Sequence, residues 1–331
     1  MRAMTKRERV LAALRGDAVD RPPFSFWAHN FARENSAEDL TAETLRVFNE
    51  FSFDFLKPQT RAQAFEEAFG AVWQASGERA TAPTLVQPAV ASAADFASVR
   101  VADWTTGPLG EQLAALRAIR AAVGDTPIIW TIFNPIMIAR RMQPGDLPAL
   151  RMAMTEHPAA LRSALDAVTE TMAGYARAAL EAGADGLFYA TNIGAEGLLT
   201  ADEYRTWAVA DDLAILDAVS GAPFNMLHTC GESVYFDIFS AYPVHAFNYS
   251  LGIGNPTLGA LTERTGKAVV GGVTTKPADL QLTREAEQQE IAAAIASTGG
   301  RHLLIAAGCS NSPAVADTVA GVARDAILAL A

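Results

Sequence analysis

Apolar and polar positions change rhythm repeatedly along this chain. Short runs rich in β-branched and aromatic residues alternate with longer Ala-rich stretches in which apolar residues recur at every third or fourth position. The short runs predict strands at Pro23–Trp27, Phe53–Lys57, Ile128–Phe133, Gly186–Ala190, Phe224–His228, Ala246–Tyr249, Ala268–Val273 and His302–Ala306. Between them, Pro158–Gly183 and Ala201–Val219 carry helical spacing, and Thr200-Ala-Asp-Glu203 has capping-box form at the start of the second. Strand and helix in alternation predict βα units around a parallel sheet. Eight such units, with no Pro/Ser-rich linker, low-complexity tract or charge run between them, predict an α/β fold, one TIM barrel spanning residues 1–331. In that fold the chemistry is expected at the carboxyl ends of the strands, where the βα loops gather.

Composition narrows the function. With 50% apolar and 19% charged residues the chain can bury a large core. A net charge of −11 with dispersed Lys and Arg argues against nucleic acid as a partner, because phosphate binding needs a concentrated basic surface. The first ten residues are charged and lack the apolar stretch of a signal peptide, and no apolar run approaches a membrane-spanning length. A cytoplasmic protein with no membrane partner is the expectation. In a reducing compartment its two cysteines are expected as metal ligands or free thiols rather than a disulfide.

Both cysteines sit where the barrel would place chemistry. Alternate residues of a strand point to one face, so His228 and Cys230, at the end of the fifth predicted strand, can present an imidazole and a thiolate side by side. Cys309 follows the eighth, so all three could meet at one mouth. A soft thiolate–imidazole set is what zinc selects, which makes His228, Cys230 and Cys309 the candidate catalytic metal ligands. Zinc on two thiolates and one neutral imidazole is near neutral and keeps one position open. A thiol entering there would become a thiolate and stay nucleophilic near neutral pH.

His-Thr-Cys at the fifth strand with Gly-Cys at the eighth resembles the His-x-Cys…Cys zinc motif of methylcobamide:thiol methyltransferases, of the coenzyme M type, in the uroporphyrinogen decarboxylase superfamily. The resemblance extends along most of the chain: Thr5–Pro23 is similar to the superfamily's opening helix and first strand, Glu181–Phe188 to its fourth strand and Thr298–Cys309 to its last. Two departures matter. Authentic decarboxylases follow the first strand with Met-Arg-Gln-Ala-Gly-Arg, whose arginines hold substrate carboxylates, whereas this chain has Trp27-Ala-His-Asn-Phe-Ala-Arg-Glu34. Related methyltransferases can add an acidic metal ligand from a neighbouring strand, but the sixth here ends Phe247-Asn-Tyr-Ser250. The fourth position is left to water, Glu232, Glu196 or another side chain.

The resemblance implies methyl transfer from methylcobalamin or another methylated corrinoid to a zinc-bound small thiol, by in-line attack of sulfur on the Co–CH₃ carbon. No Asp-x-His-x-x-Gly cobalamin signature occurs, so the corrinoid is expected on a separate corrinoid protein or free in solution. Which thiol accepts the methyl group, or whether folate does, stays open. The runner-up readings are a decarboxylase-like lyase acting on a tetrapyrrole or other carboxylate, and a non-catalytic corrinoid-binding module.

Secondary candidates follow from position. His29 lies beyond the first predicted strand, as a substrate contact or a structural histidine. Asn134, Asn192 and Asn248 stand at or past strand ends, where amides could orient a thiol or the corrin edge, or simply bond a loop. Arg140, Arg141 and Lys276 could meet an anion or belong to solvated faces. His157, His245 and His302 are expected to be structural, and Gly271-Gly272 a tight strand end rather than a phosphate loop.

Overall fold

The computed structural model describes residues 3–252, 254–274 and 283–330, and Lys276 lies outside them. Its strands are β1 (Val72–Gln74), β2 (Thr84–Gln87), β3 (Ile129–Phe133), β4 (Gly186–Thr191), β5 (Met226–Thr229), β6 (Ala246–Tyr249), β7 (Ala268–Val273) and β8 (Leu303–Ala307). β3 to β8 form one parallel sheet in chain order, at the places of the last six predicted runs. β1 and β2 make a separate antiparallel hairpin that hydrophobic rhythm does not reveal, because no residue in it is fully buried.

The first two predicted strands are corrected. Pro23–Trp27 and Phe53–Lys57 form no regular strand, and each contributes a single parallel bridge, Phe24 to Ile305 and Leu56 to Ile128. Prolines 22, 23 and 58 bracket these runs and bring no N–H, and the Phe24 N–H is taken by the Asp54 carboxylate at 3.0 Å. The ring still closes: Ser25 N–H donates to Ile305 O at 3.1 Å, Asp54 N–H to Phe24 O at 2.9 Å, and Ile129 N–H to Leu56 O at 2.9 Å. The result is a TIM-barrel-like α/β fold with six regular strands and two irregular rungs.

Side chains reinforce the irregular rungs. Asp54, fully buried, receives Arg9 at 2.7 Å and Arg21 at 2.6 and 3.0 Å, so two guanidinium groups tie the second rung to the chain entering the first. Arg9 also grips Asp20 at 2.6 and 2.8 Å. It projects from the helix Lys6–Arg15, which opens with a Thr5–Glu8 capping box. Val10, Ala13 and Leu14 of that helix join the barrel-interior cluster, closing the end opposite the functional mouth.

Period-two alternation divides the sheet's side chains between two cores. Phe188, Ala190, Met226, Ala246, Val270 and Leu304 fill the interior, while Leu187, Tyr189, Leu227, Phe247, Val269 and Ile305 pack under the helices. The predicted helix Pro158–Gly183 is observed over Pro158–Glu181. Ala201–Val219 is instead two helices, Ala201–Trp207 and Val209–Asp217, the first opened by the expected Thr200 capping box. The break at Ala208 lets Tyr204 and Asp212 meet at 2.8 Å, a contact that eight residues of unbroken helix, about 12 Å of rise, would prevent. Among the described residues no helix is long and apolar enough to cross a membrane.

Candidate metal centre and adjoining cavity

Sheet register decides what stands at the mouth. Ala190, His228, Asn248 and Val270 pair in one row across β4 to β7, with His228 and Asn248 at neighbouring inward positions. Beyond β5 the Cys230 N–H donates to Thr191 O at 3.1 Å, which extends the ladder by one residue and fixes where that thiol starts. Beyond β8 a Cβ on Gly308 would lie 2.5 Å from Ser250 Cα, so only glycine lets the chain run close enough to β6 to bring Cys309 inward.

The three predicted donors converge. Cys230 Sγ and Cys309 Sγ are 3.2 Å apart, Cys309 Sγ lies 3.7 Å from His228 Nε2, and all three atoms fall within 4.8 Å of one another. Zinc–ligand distances at a tetrahedral ion require sulfur–sulfur and sulfur–nitrogen separations of about 3.8 and 3.6 Å, so small thiol rotations suffice for one ion to reach all three. Glu196 and Glu232, both exposed, are not in this cluster.

Asn248 orients the imidazole. Its amide nitrogen donates to Val270 O at 2.7 Å and Ala307 O at 3.0 Å, acceptors that leave its Oδ1 facing His228. His228 Nδ1 is 2.6 Å from that oxygen and must be the N–H partner. The Nε2 lone pair is thereby aimed at the two sulfurs, as a metal ligand requires. The His228 ring also stacks on Phe188, at 4.9 Å between centroids. Between the sulfurs one S–H bridges and either atom can donate it; the shared proton favours one thiolate in the pair, and burial opposes a second.

The four predicted substrate contacts are placed differently from one another. Asn248 is buried and committed to His228 and two carbonyls. Asn134, also buried, caps the helix Pro135–Arg141 and donates to Tyr204 Oη at 3.1 Å. Its Tyr204 partner donates to Asp212, which also receives Tyr189 at 2.6 Å and Tyr242 at 2.7 Å. Burial holds that carboxyl up at about 6 against these three donors. Asn192 is half-buried at the end of β4, its Oδ1 without a hydrogen-bond partner among the described residues.

His29 belongs to a chain of hydrogen bonds. Its Nδ1 faces the Glu34 carboxylate at 2.8 and 3.0 Å, so Nδ1 donates, and its Nε2 lies 2.7 Å from the amide nitrogen of Gln59. Gln59 Oε1 in turn accepts from Lys57 Nζ at 2.7 Å. Lys57, with 6% exposure, also sits over the Phe188 ring at 4.6 Å from its centroid. Burial lowers this ammonium to about 7, with the negative charges of Cys309 and Glu34 pulling the other way. His29, Glu34, Lys57 and Gln59 line a cavity bounded by the helices Ala37–Phe51 and Ala316–Leu328, and Asn311, two residues past Cys309, lines it too. Lys57 and Gln59 escape the sequence reading, although a cation at the carboxyl end of the second predicted strand is a signal that barrel logic makes available.

The other polar candidates are occupied at the periphery. Arg140 pairs with Asp146 and Arg141 with the buried Glu66, each at 2.8 Å. His245 Nδ1 accepts from Asn225 N–H at 2.9 Å, His157 joins two helices, and His302 packs against Gly16.

A barrel with this closure and this mouth defines a class, and comparison with known proteins places it. The chain belongs to the uroporphyrinogen decarboxylase (URO-D) family, whose model matches residues 5–318. No curated protein matches it. Among solved structures, a methyltransferase from Methanosarcina mazei superimposes with a TM-score of 0.83 at 20% identity, over 99% of each chain. A B12-independent methionine synthase from Shewanella sp. W3-18-1 in complex with selenomethionine gives 0.60 at 12% identity, covering 94% of this chain and 96% of that one. A putative vitamin-B12 independent methionine synthase from Listeria monocytogenes gives 0.57 at 15%, with the same coverage. These are likenesses of fold.

Proposed function

We propose that this protein is a zinc-dependent methyltransferase that moves a methyl group from a methylated corrinoid, carried by a separate corrinoid protein or free in solution, to a small thiol. The observation that carries the reading is the convergence of two cysteine sulfurs and one pre-aimed imidazole nitrogen at the catalytic end of a URO-D barrel. The likeness to the M. mazei methyltransferase supports the reaction class through fold, and the donor chemistry supports the acceptor. His228, Cys230 and Cys309 would hold the ion, which supplies the polarisation that keeps a bound thiol deprotonated near neutral pH. Asn248 keeps His228 in the ligating tautomer, and Phe188 fixes its ring plane. Asn192, whose oxygen has no partner among the described residues, would orient an acceptor at the same mouth. Glu34 and Gln59 occupy both ring nitrogens of His29 and fix it, so it shapes the cavity wall.

Two measurements test the reading. Purified protein should contain about one zinc per chain, the single-ion stoichiometry of a three-donor site with one open position. Methylcobalamin should lose its Co–CH₃ absorption only when a thiol is added. Metal-free protein of full solubility, or carbon dioxide release from a porphyrinogen in place of demethylation, would sink it.

A further inference from the structure

Lys57 is an anomaly until the cluster is considered. It is more than nine-tenths buried, and among the described residues no carboxylate pairs with it. Its hydrogen bond goes to a neutral amide, and the carboxylate closest along the chain of contacts, Glu34, is bonded to His29. Arg33 and Arg79 of the same cavity instead meet Asp39 at 3.0 Å and Asp317 at 3.1 Å. A buried ammonium with no directly bonded carboxylate, its neighbour Glu34 being held by His29, is disfavoured, so its retention calls for a further negative charge that arrives later.

The place where that charge arrives is one ring away. Phe188 carries the His228 imidazole stacked at 4.9 Å and Lys57 Nζ at 4.6 Å, and Cys309 is among the charges that act on Lys57. Two thiolates, one neutral imidazole and a divalent ion sum to zero; an external thiolate takes the sum to −1. We infer that Lys57 is the counter-cation of the centre, a positioning residue that stabilises an anionic fourth ligand while Gln59, His29 and Glu34 hold it in place. This rests on the metal-dependent reading above and adds a residue to it. The gain lies in binding: a buried ammonium on the Phe188 ring that also carries His228 favours an added negative charge at the centre, and so strengthens thiolate uptake without touching the metal ligands.

Cobalt(II)-loaded full-length protein, titrated with 2-mercaptoethanol and followed by sulfur-to-cobalt charge-transfer absorption, reads this directly. Lys57→Met should keep one cobalt per chain and weaken thiol uptake at least tenfold. Lys57→Gln, which can still bond Gln59, should lose as much, and Lys57→Arg should return within about threefold of wild type because the charge is restored. Circular dichroism confirms that each variant is folded. Wild-type thiol affinity in Lys57→Met or Lys57→Gln overturns the inference, as does a wild-type chain whose cobalt spectrum thiol leaves unmoved. Failure of the methyl-transfer reading looks different: Lys57-dependent thiol uptake with no thiol-dependent demethylation of methylcobalamin leaves the counter-cation standing and removes the reaction.

Discussion

The two sides of the barrel are built by different means. From β3 to β8 backbone ladders hold the ring, and side chains are free to alternate between an inner and an outer core. Across Pro23–Trp27 and Phe53–Lys57 two bridges and a handful of backbone bonds remain, and the Arg9–Asp54–Arg21 network takes over their work. The difference maps onto the site. His228 and Asn248 depend on strand register and lie on the laddered side, whereas the cavity and Lys57 lie on the side where the missing ladder leaves room. Rigid backbone aims His228 and its neighbours, and irregular backbone makes space beside them.

The largest test removes a donor. Cys309→Ser and Cys230→Ser should each abolish stoichiometric metal and lower thiol-dependent demethylation by about a thousandfold or more, since a three-donor centre rarely survives the loss of one. The fold should persist, with an unchanged circular dichroism spectrum, because neither thiol is in the apolar core.

Next comes the network that closes the irregular side. Asp54→Ala leaves Arg21 without its carboxylate and takes from the buried Arg9 one of its two, Asp20 remaining, and should cost about 3 kcal/mol in a urea unfolding curve. On the laddered side Val270→Ala removes two methyl groups from the interior, and should cost about 2 kcal/mol. Equal losses would erase the contrast between the two sides.

How much of this could be read from the sequence follows the same division. The six regular strands are visible as apolar runs because burial on both faces demands them, and the His228, Cys230 and Cys309 cluster is visible because barrel strands bring distant segments to one mouth. The same rhythm over-reads Pro23–Trp27 and Phe53–Lys57: apolar alternation persists there, but proline and the Asp54 carboxylate take away the backbone partners. The exposed hairpin Val72–Gln74/Thr84–Gln87 leaves no apolar run to find. Asn248 stands out only as an amide at a strand end, since its role toward His228 is created by the β5–β6 register. Lys57, Gln59 and Glu34 are joined only by tertiary folding around His29.

A smaller effect sharpens the register argument. Asn248→Ala keeps all three donors but removes the oxygen that fixes the His228 tautomer. Metal affinity should fall about 10–100-fold, or about 1.4–2.7 kcal/mol, by competition with a chelator. Asn248→Asp, which restores an acceptor for Nδ1–H, should recover part of it. An Asn248→Ala protein with wild-type affinity would mean that ring stacking on Phe188 alone sets the imidazole.

The smallest effect is a pH dependence on the irregular side. The Arg9 guanidinium, donating to Asp20, holds that carboxyl well below its usual value of 3.8. A depressed carboxylate adds stability that is fully present above its unfolded value and lost as the pH falls below it. Wild-type stability should therefore drop more steeply than that of Asp20→Asn from about pH 4 downward, the two curves running parallel above about pH 5. Asp20 is partly open to solvent, so screening shrinks the effect, and the difference in slope should narrow further in about 1 M salt. Parallel curves at acid pH in low salt would show that Arg9 serves the irregular rungs through Asp54 alone, leaving the Asp20 pair energetically silent.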